Sequence, residues 1–598
     1  LKLAGCKKPI KRLWISSQTD KAIKEGFKNL KPGKAYESLY EAAQARAESD
    51  WYLGLNLTRA LTCKYNAQLS AGRVQTPTLA MVVAKEEEIQ AFRSRPFWRL
   101  SAKHNGVSYS ATRSHQIFDK SQADQKLNQV RKAEAKVTAV DRKIKTVAAP
   151  QLYDLTSLQI EANRRYGMGA KQTLRSLQNL YERHKLVTYP RTDSRVLSSD
   201  LVATLPERLE ALFGGPMRKE AQYRLKKGVQ VTKRLVNDKL VSDHHALIPT
   251  EATIFLSDLS NDERRIYDLI VTRFLEAVAE PAQVETWKVK VMAGKEEFAA
   301  SFSSTVEAGW KAIVGDDQTS AKPNVKEGQI LDGFQPQLKE DRTQPPERYT
   351  EATLLRDMEN PKRFVKDEAM KKTLDQTGGI GTVATRADIL EKLYSVGYFE
   401  EKSGHIFPTS KGRQLIELVP EMVKSPALTA KWEGELTRIQ KENKKRQAFI
   451  GEIKAKTKEL VQGIESSEAK YRHDNQTNTP CPECGKRLLK MKTKHGERLV
   501  CPDRECGYKK NLSRVTNARC PECHKKLVMM GEGDKKFFKC NTCGFRESLA
   551  SWEKKNAKKK QQMNKREAQR YMKKMNKQAE EPMNNPFADA LKNFKVDK

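Results

Sequence analysis

Between residues 35 and 93 apolar positions recur at helical spacing, so this stretch is expected to be helical. From 96 to 145 the pattern changes to short alternating runs such as Val137-Thr138-Ala139-Val140, with few capping residues, which indicates half-buried strands. The helical period returns over 151–280. There Thr156-x-x-Gln159 fits a capping box, and Leu174, Leu177, Leu180 and Tyr181 mark one apolar face. Strands are expected again over 285–345: Trp287, Val289 and Val291 alternate, Ala293-Gly294-Lys295 makes a turn, then Phe298, Ala300 and Phe302 alternate. Helices dominate 350–465. This order predicts two β stretches that pair into one β domain, interrupted by a projecting helical insertion. Near the start, Arg12-Leu13-Trp14-Ile15-Ser16 reads as a strand and a helix follows from Thr19, as at the tail of an α/β unit.

The 598 residues imply three to five domains at ~100–200 residues each. The longest uncharged run, Val74 to Ala84, falls well short of the ~20 residues of a membrane span, and no signal-peptide pattern is present. With 111 Lys+Arg against 75 Asp+Glu the net charge is +36, which favours a polyanionic partner through counterion release. Charge alone puts nucleic acid ahead of a membrane surface without naming a chemistry.

Cysteines narrow the picture. Eight of ten fall between Cys481 and Cys543, as Cys481-x2-Cys484 with Cys501-x4-Cys506, and Cys520-x2-Cys523 with Cys540-x2-Cys543. Each CxxC turn presents two thiolates to one ion, and Zn²⁺ takes four ligands tetrahedrally, so two structural zinc ribbons are expected. Redox dithiols are the alternative. Tyr508, Phe537, Phe538 and Phe545 lie beside Lys and Arg there, suited to stacking on bases or to packing the ribbon cores. Beyond them, Lys554 to Lys577 holds eleven basic residues and one acidic, a solvated tail with transient helicity.

Other segments carry candidate chemistry. In Leu186-Val187-Thr188-Tyr189-Pro190-Arg191, Pro190 forces Tyr189 into extended backbone. A tyrosine beside an arginine can be a nucleophile with a phosphate clamp, although such a segment is more often a plain loop. In Ser70-Ala71-Gly72-Arg73-Val74-Gln75, the glycine allows close backbone approach and Arg73 and Gln75 offer donors; an ordinary helix start is the alternative. His244 and His245 on an extended segment face opposite ways, so one can enter a site. Gly378-Gly379-Ile380-Gly381 lacks the Lys-Ser/Thr ending of a P-loop, which argues against an NTP site.

Together these segments, with Asp50–Ala60, Tyr153–Gln159, His244–Thr250, Gly379–Arg386 and Thr429-Ala430-Lys431-Trp432-Glu433, resemble type IA DNA topoisomerases, closest to the bacterial topoisomerase III branch. The resemblance spans roughly 1–465. It implies a mixed α and β multidomain toroid that cuts one DNA strand, passes another and reseals it without ATP, relaxing negative supercoils and decatenating DNA. Tyr189 matches the nucleophile that forms a 5′-phosphotyrosyl link. Arg191 matches the arginine beside it, and His244 a histidine with a hydrogen-bonding or proton-handling role. Ser70, Ala71, Gly72, Arg73, Val74 and Gln75 match the single-strand contact, with Arg59 and Arg386 as phosphate contacts or surface salt bridges.

One departure stands out. The family's Mg²⁺ cluster, an Asp-x-Asp pair plus a Glu in a TOPRIM domain, has no counterpart, since the chain holds no Asp pair at i, i+2. The resemblance implies a chain lacking most of that domain and inefficient at cleavage alone. The expected layout is a TOPRIM remnant at 1–30, helical domain at 31–95 and 346–465, β domain at 96–150 and 281–345, catalytic insertion at 151–280, ribbons at 466–512 and 513–550, and a tail at 551–598. Expected partners are single-stranded and negatively supercoiled DNA and a helicase or RNA polymerase, for a cytoplasmic, nucleoid-associated monomer. The competing expectation is a non-enzymatic single-stranded nucleic-acid binder, which has no use for the Tyr189, Ser70 and His244 segments together.

Overall fold

Six antiparallel strands form one sheet: β1 (Pro96–His104), β2 (Val107–Ala111), β3 (Ala135–Val147), β4 (Ala282–Ala293), β5 (Glu296–Glu307) and β6 (Gln335–Arg342), in the order β3-β4-β5-β2-β1-β6. Strands from both sides of the helical insertion are interleaved, so the β domain is a single sheet. Hairpin β4–β5 pairs Trp287 with Phe302, Val289 with Ala300 and Val291 with Phe298, placing the alternating apolar set on one face. Its two-residue turn needs a left-handed residue, which Gly294 supplies at φ +63. Helix Lys120–Arg131 buries Leu127 and Val130 against that face.

The structure, a computed structural model, describes residues 5–15, 20–241, 243–253, 255–315, 324–376, 378–442, 445–503, 505–562 and 569–575. The chain forms two units, 1–471 and 472–598. In the first, helices α1 (Glu37–Tyr65), α2 (Gln75–Ala91), α3 (Leu155–Tyr166), α4 (Ala170–Glu182), α5 (Glu351–Glu359), α6 (Val383–Ser395), α7 (Pro426–Lys441) and α8 (Arg446–Ser466) share one large core. Ala42, Ala45, Ser49, Leu53, Leu57 and Leu61 form a stripe at three- and four-residue spacing along α1, facing α7 and α8. Each fully buried leucine contributes about 1.5–3 kcal/mol. Asn66, at φ 49, ends α1 in the left-handed conformation. Lys64 donates to the Ile464 and Glu465 carbonyls at 2.7 Å each, closing the end of α8 from outside.

Two local expectations fail. The capping residue of α3 is Asp154, whose carboxylate accepts from Ser157 N at 2.7 Å, rather than Thr156. A carboxylate one residue before the helix takes that amide, leaving the Thr156 hydroxyl for another partner. The strand near the start covers only Lys11–Arg12, paired with Lys31–Pro32; with a two-residue partner there is nothing to extend it. Ser16 and Thr19 lie outside the described residues, and the following helix is described over Asp20–Lys28.

The second unit holds two four-stranded antiparallel sheets, Gln476–Pro480 to Lys509–Asn511 and Ser513–Arg519 to Arg546–Ser548. Leu488 and Leu499 fill the first small core, and Leu527 and Phe538 the second. Helix Leu549–Gln562 begins directly on the second sheet, and its Trp552 packs on Phe538 at 5.2 Å between ring centroids.

Candidate active site

Tyr189 sits in a segment without regular structure, yet its backbone is tied down on both sides. Thr188 N donates to Ile248 O at 3.1 Å, and the Thr188 hydroxyl donates to Ala246 O at 3.1 Å. Thr192 Oγ1 donates to His244 O at 3.1 Å, and Leu155 N donates to Thr192 O at 3.1 Å. Three segments therefore converge: 153–157, 186–197 and 244–250. The Tyr189 ring is half-buried, lying 4.1 Å from the His244 ring at an interplanar angle of 32° and edge-on to Tyr181 at 5.6 Å. Its hydroxyl has no hydrogen-bond partner among the described residues. Arg191 is exposed and equally without a partner there, so its five donors are available to a phosphate. His244 also lines a concavity of about 340 Å³ with Asp243, Arg12 and Trp14. His245 turns away: its Nδ1 lies 2.9 Å from Ala246 O, and desolvation lowers its pKa to about 4.

A second layer was not visible in the sequence. Arg195 Nε donates to Asp154 Oδ2 at 2.8 Å, and its Nη2 lies 3.5 Å from Glu359 Oε1, tying the tyrosine loop to α3 and α5. Burial and the nearby Asp154 charge raise the Glu359 pKa. Arg386 is 1% exposed and donates to Thr156 Oγ1 at 2.9 Å, to Ile380 O at 3.3 Å and to Gly378 O. Desolvation lowers its pKa against the pull of Glu359 and Asp154. The structure thus places Arg386 as an internal strut between α6 and α3. Glu359 lies in none of the quoted motifs, and no local pattern marks it.

The Ser70–Gln75 segment gathers elsewhere, against the Asp50–Ala60 and Thr429–Glu433 motifs. Arg73 is buried, with Nε and Nη2 on Asp50 at 2.8 and 3.0 Å and Nη1 on Glu433 at 3.0 Å. Burial alone would lower its pKa; Asp50 and Glu433 outweigh that and raise it. Glu433 also takes both Nη atoms of Arg46 at 2.6 Å, and the Arg73 guanidinium lies 5.3 Å from the Trp432 ring. Ser70, Gly72 and Val74 are half-exposed, while Ala71 and Gln75 are buried. Val74 packs beside Gly381 of the glycine-rich loop. Arg59 is exposed on α1 with no partner among the described residues.

A family model described as DNA topoisomerase matches residues 34–451, the span that contains every one of these segments. The chain belongs to the DNA topoisomerase family, in its type IA class. It is 47% identical over 607 residues to DNA topoisomerase 3 of Bacillus cereus, covering 99% of this chain and 83% of the relative. DNA topoisomerase 3 of Bacillus subtilis is 47% identical over 610 residues, covering 100% of this chain and 84% of the relative. Among solved structures, full-length topoisomerase I from Thermotoga maritima superposes with a TM-score of 0.58 at 24% identity, covering 85% of this chain and 82% of that one. That likeness shows the shared fold. Membership of an enzyme family sets aside the non-enzymatic alternative.

This topoisomerase also carries two metal-competent groups. Cys481, Cys484, Cys501 and Cys506 form one and Cys520, Cys523, Cys540 and Cys543 the other, with all four sulfurs of each within 4.8 Å. Close pairs stand 3.4–3.6 Å apart, near the ~3.8 Å edge of a tetrahedron with Zn–S of ~2.3 Å. Either group could hold Zn²⁺. For Mg²⁺ the donor set does not fit: among the described residues no comparable cluster of carboxylates gathers, and a hard cation wants oxygen ligands. No helix among the described residues is long and apolar enough to cross a membrane.

Proposed function

We propose that Tyr189 is the nucleophile of a single-strand transesterification. Its hydroxyl oxygen attacks a backbone phosphorus, the bond from phosphorus to the 3′ oxygen breaks, and that oxygen leaves as a 3′-hydroxyl after taking up a proton. The 5′ side stays bound as a phosphotyrosyl ester. A phenol ionises only near pH ~10, so the phosphate must be made more electrophilic. Arg191 clamps it and answers the charge that builds in the transition state. His244, packed on the phenol, orients the ring and handles protons at the same phosphate. The ester preserves the energy of the phosphodiester, so religation reverses the step without a nucleotide. The observation that carries this reading is the 4.1 Å packing of Tyr189 on His244 where three separate segments meet.

Ser70–Gln75 receive the single strand, with Arg73 acting through Asp50 and Glu433 to hold that surface and Arg59 free for phosphate. Strand passage then serves relaxation of negative supercoils and decatenation in a nucleoid-associated monomer, with 151–280 as the insertion that carries Tyr189. The cysteine groups hold two structural Zn²⁺, whereas the Mg²⁺ that the resemblance implies finds no carboxylate cluster among the described residues. The ribbons and tail grip single-stranded DNA or a helicase or RNA polymerase. The direct test is covalent trapping in the full-length protein. A denaturant-resistant protein–DNA adduct is expected, lost in Tyr189→Phe while single-strand affinity stays within about twofold. An adduct that persists in Tyr189→Phe would move the nucleophile elsewhere.

A further inference from the structure

Residues Leu69–Gly72 run between α1 and α2 outside any named strand, so their backbone polar groups need other partners. Side-chain hydroxyls supply them in succession. Thr62 Oγ1 donates to Leu69 O at 2.9 Å. Ser70 N donates to the Tyr398 hydroxyl at 2.6 Å, and the same hydroxyl donates to Ser70 O at 3.1 Å. Thr58 Oγ1 does likewise for Ala71, accepting from its N at 3.2 Å and donating to its O at 3.4 Å. Gly72 N donates to Thr76 Oγ1 at 3.0 Å. A hydroxyl has one proton and two lone pairs, so each can hold both polar groups of one residue.

The threonines come from the helices on either side. Tyr398 comes from more than three hundred residues away and is itself fixed on several sides. It is 1% exposed, its N donates to Leu393 O at 2.9 Å, and its O accepts from Thr409 N at 2.9 Å. Gly412 approaches that carbonyl so closely that a Cβ there would stand 2.5 Å from the oxygen. Lys411, whose Nζ is 5.3 Å from the ring, donates to Val396 O at 2.8 Å. The phenol therefore reaches Ser70 from a rigid mount.

We propose that Tyr398 is a positioning residue for single-stranded DNA, fixing the Ser70 peptide, with Thr58 and Thr76, in the shape that receives the strand. This rests on the reading that Ser70–Gln75 contact the strand. A surface ordered on folding loses less freedom on binding, so the hydroxyl contributes to affinity without touching DNA.

The test uses the full chain and a fluorescein-labelled single-stranded 30-mer. Tyr398→Phe, which deletes one oxygen, is expected to raise Kd about five- to tenfold. The slope of log K against log salt should stay unchanged, because no phosphate contact is lost. Amide exchange should quicken at 69–72 and not along α1. Thr58→Val removes the matching hydroxyl from Ala71 and should act alike; it carries the test if Tyr398→Phe does not fold. Protection of amides 70–75 by DNA in the unaltered chain tests the underlying reading, and its absence overturns both. If that protection holds and both variants bind like the unaltered chain, the positioning role alone falls. Weaker binding with a shallower salt slope would mean a lost phosphate contact and would also overturn it.

Discussion

One peptide bond separates His244 from His245, and their environments differ because the two side chains leave the backbone toward different neighbours. His244 packs on Tyr189 with the ring planes tilted by 32°. His245 is desolvated, with Nδ1 on Ala246 O, and its pKa falls to about 4. An unfolded histidine titrates near ~6.5, so between pH 4 and 6.5 the unfolded chain binds more protons than the folded one, and stability rises with pH across that window. The contribution is complete above pH ~6.5 and is lost as pH falls toward 4. Thermal melts of the chain at pH 7.5 and 5.0 should show a lower midpoint at pH 5.0, and His245→Gln should shrink that difference. A midpoint difference between the two pH values in His245→Gln equal to that of the unaltered chain would assign the dependence to other groups. Arg73 is bound differently from what its place in the Ser70–Gln75 segment suggests. Its residue type suggested a hand held out to phosphate, but all three of its donor nitrogens are committed to Asp50 and Glu433. Arg191 and Arg59, with no such partners among the described residues, are arginines whose charge is available.

At the scale of elements, several joints are made by a side chain of one segment finishing the hydrogen bonding of another. Helix α4 starts after Gly169, which has no side chain to cap it, and Glu351 Oε2 accepts from Ala170 N at 2.6 Å across 181 residues. Glu351→Ala is expected to destabilise the chain by about 1–2 kcal/mol, and Glu351→Gln, which keeps an acceptor, by less than half of that. Calorimetric unfolding checks the size, and faster amide exchange confined to 170–173 checks the place. Equal losses in the two variants would credit the charge rather than the acceptor. This kind of joint explains what the sequence could and could not disclose. The alternation at Trp287–Phe302 and the apolar face at Leu174–Leu180 were legible because period and partner are local. The interruption of one sheet by the 151–280 helices was legible from the switch of period alone. Glu351, Glu359 and Tyr398 were not, because each acts on a segment more than 150 residues away and their own surroundings look ordinary. The cap of α3 was misplaced for a related reason: Thr156 had the right chemistry, but Asp154 stood closer to the first free amides and Arg386 claimed the threonine.

For the whole molecule, charge is distributed unevenly. Residues 472–598 hold 32 Lys+Arg against 15 Asp+Glu, a net +17, whereas the 471 residues before them carry the remaining +19 of the +36. The smaller unit therefore has roughly three times the charge per residue, divided between residues 551–598, which hold +8, and two small ribbons whose cores need little more than Leu488, Leu499, Leu527 and Phe538. Binding driven by such charge depends on counterion release, and each single-strand phosphate neutralised contributes about −0.7 to the slope of log K against log salt. If the unit engages about four phosphates, ending the chain at residue 471 should flatten that slope by about three and weaken binding most at low salt. The large unit keeps its own core, so the truncated chain should retain its main melting transition, and the comparison reads DNA contact rather than damage. A truncated chain with the same slope as the whole would show that the ribbons do not lie on the strand, and would leave their exposed basic faces to an acidic protein partner.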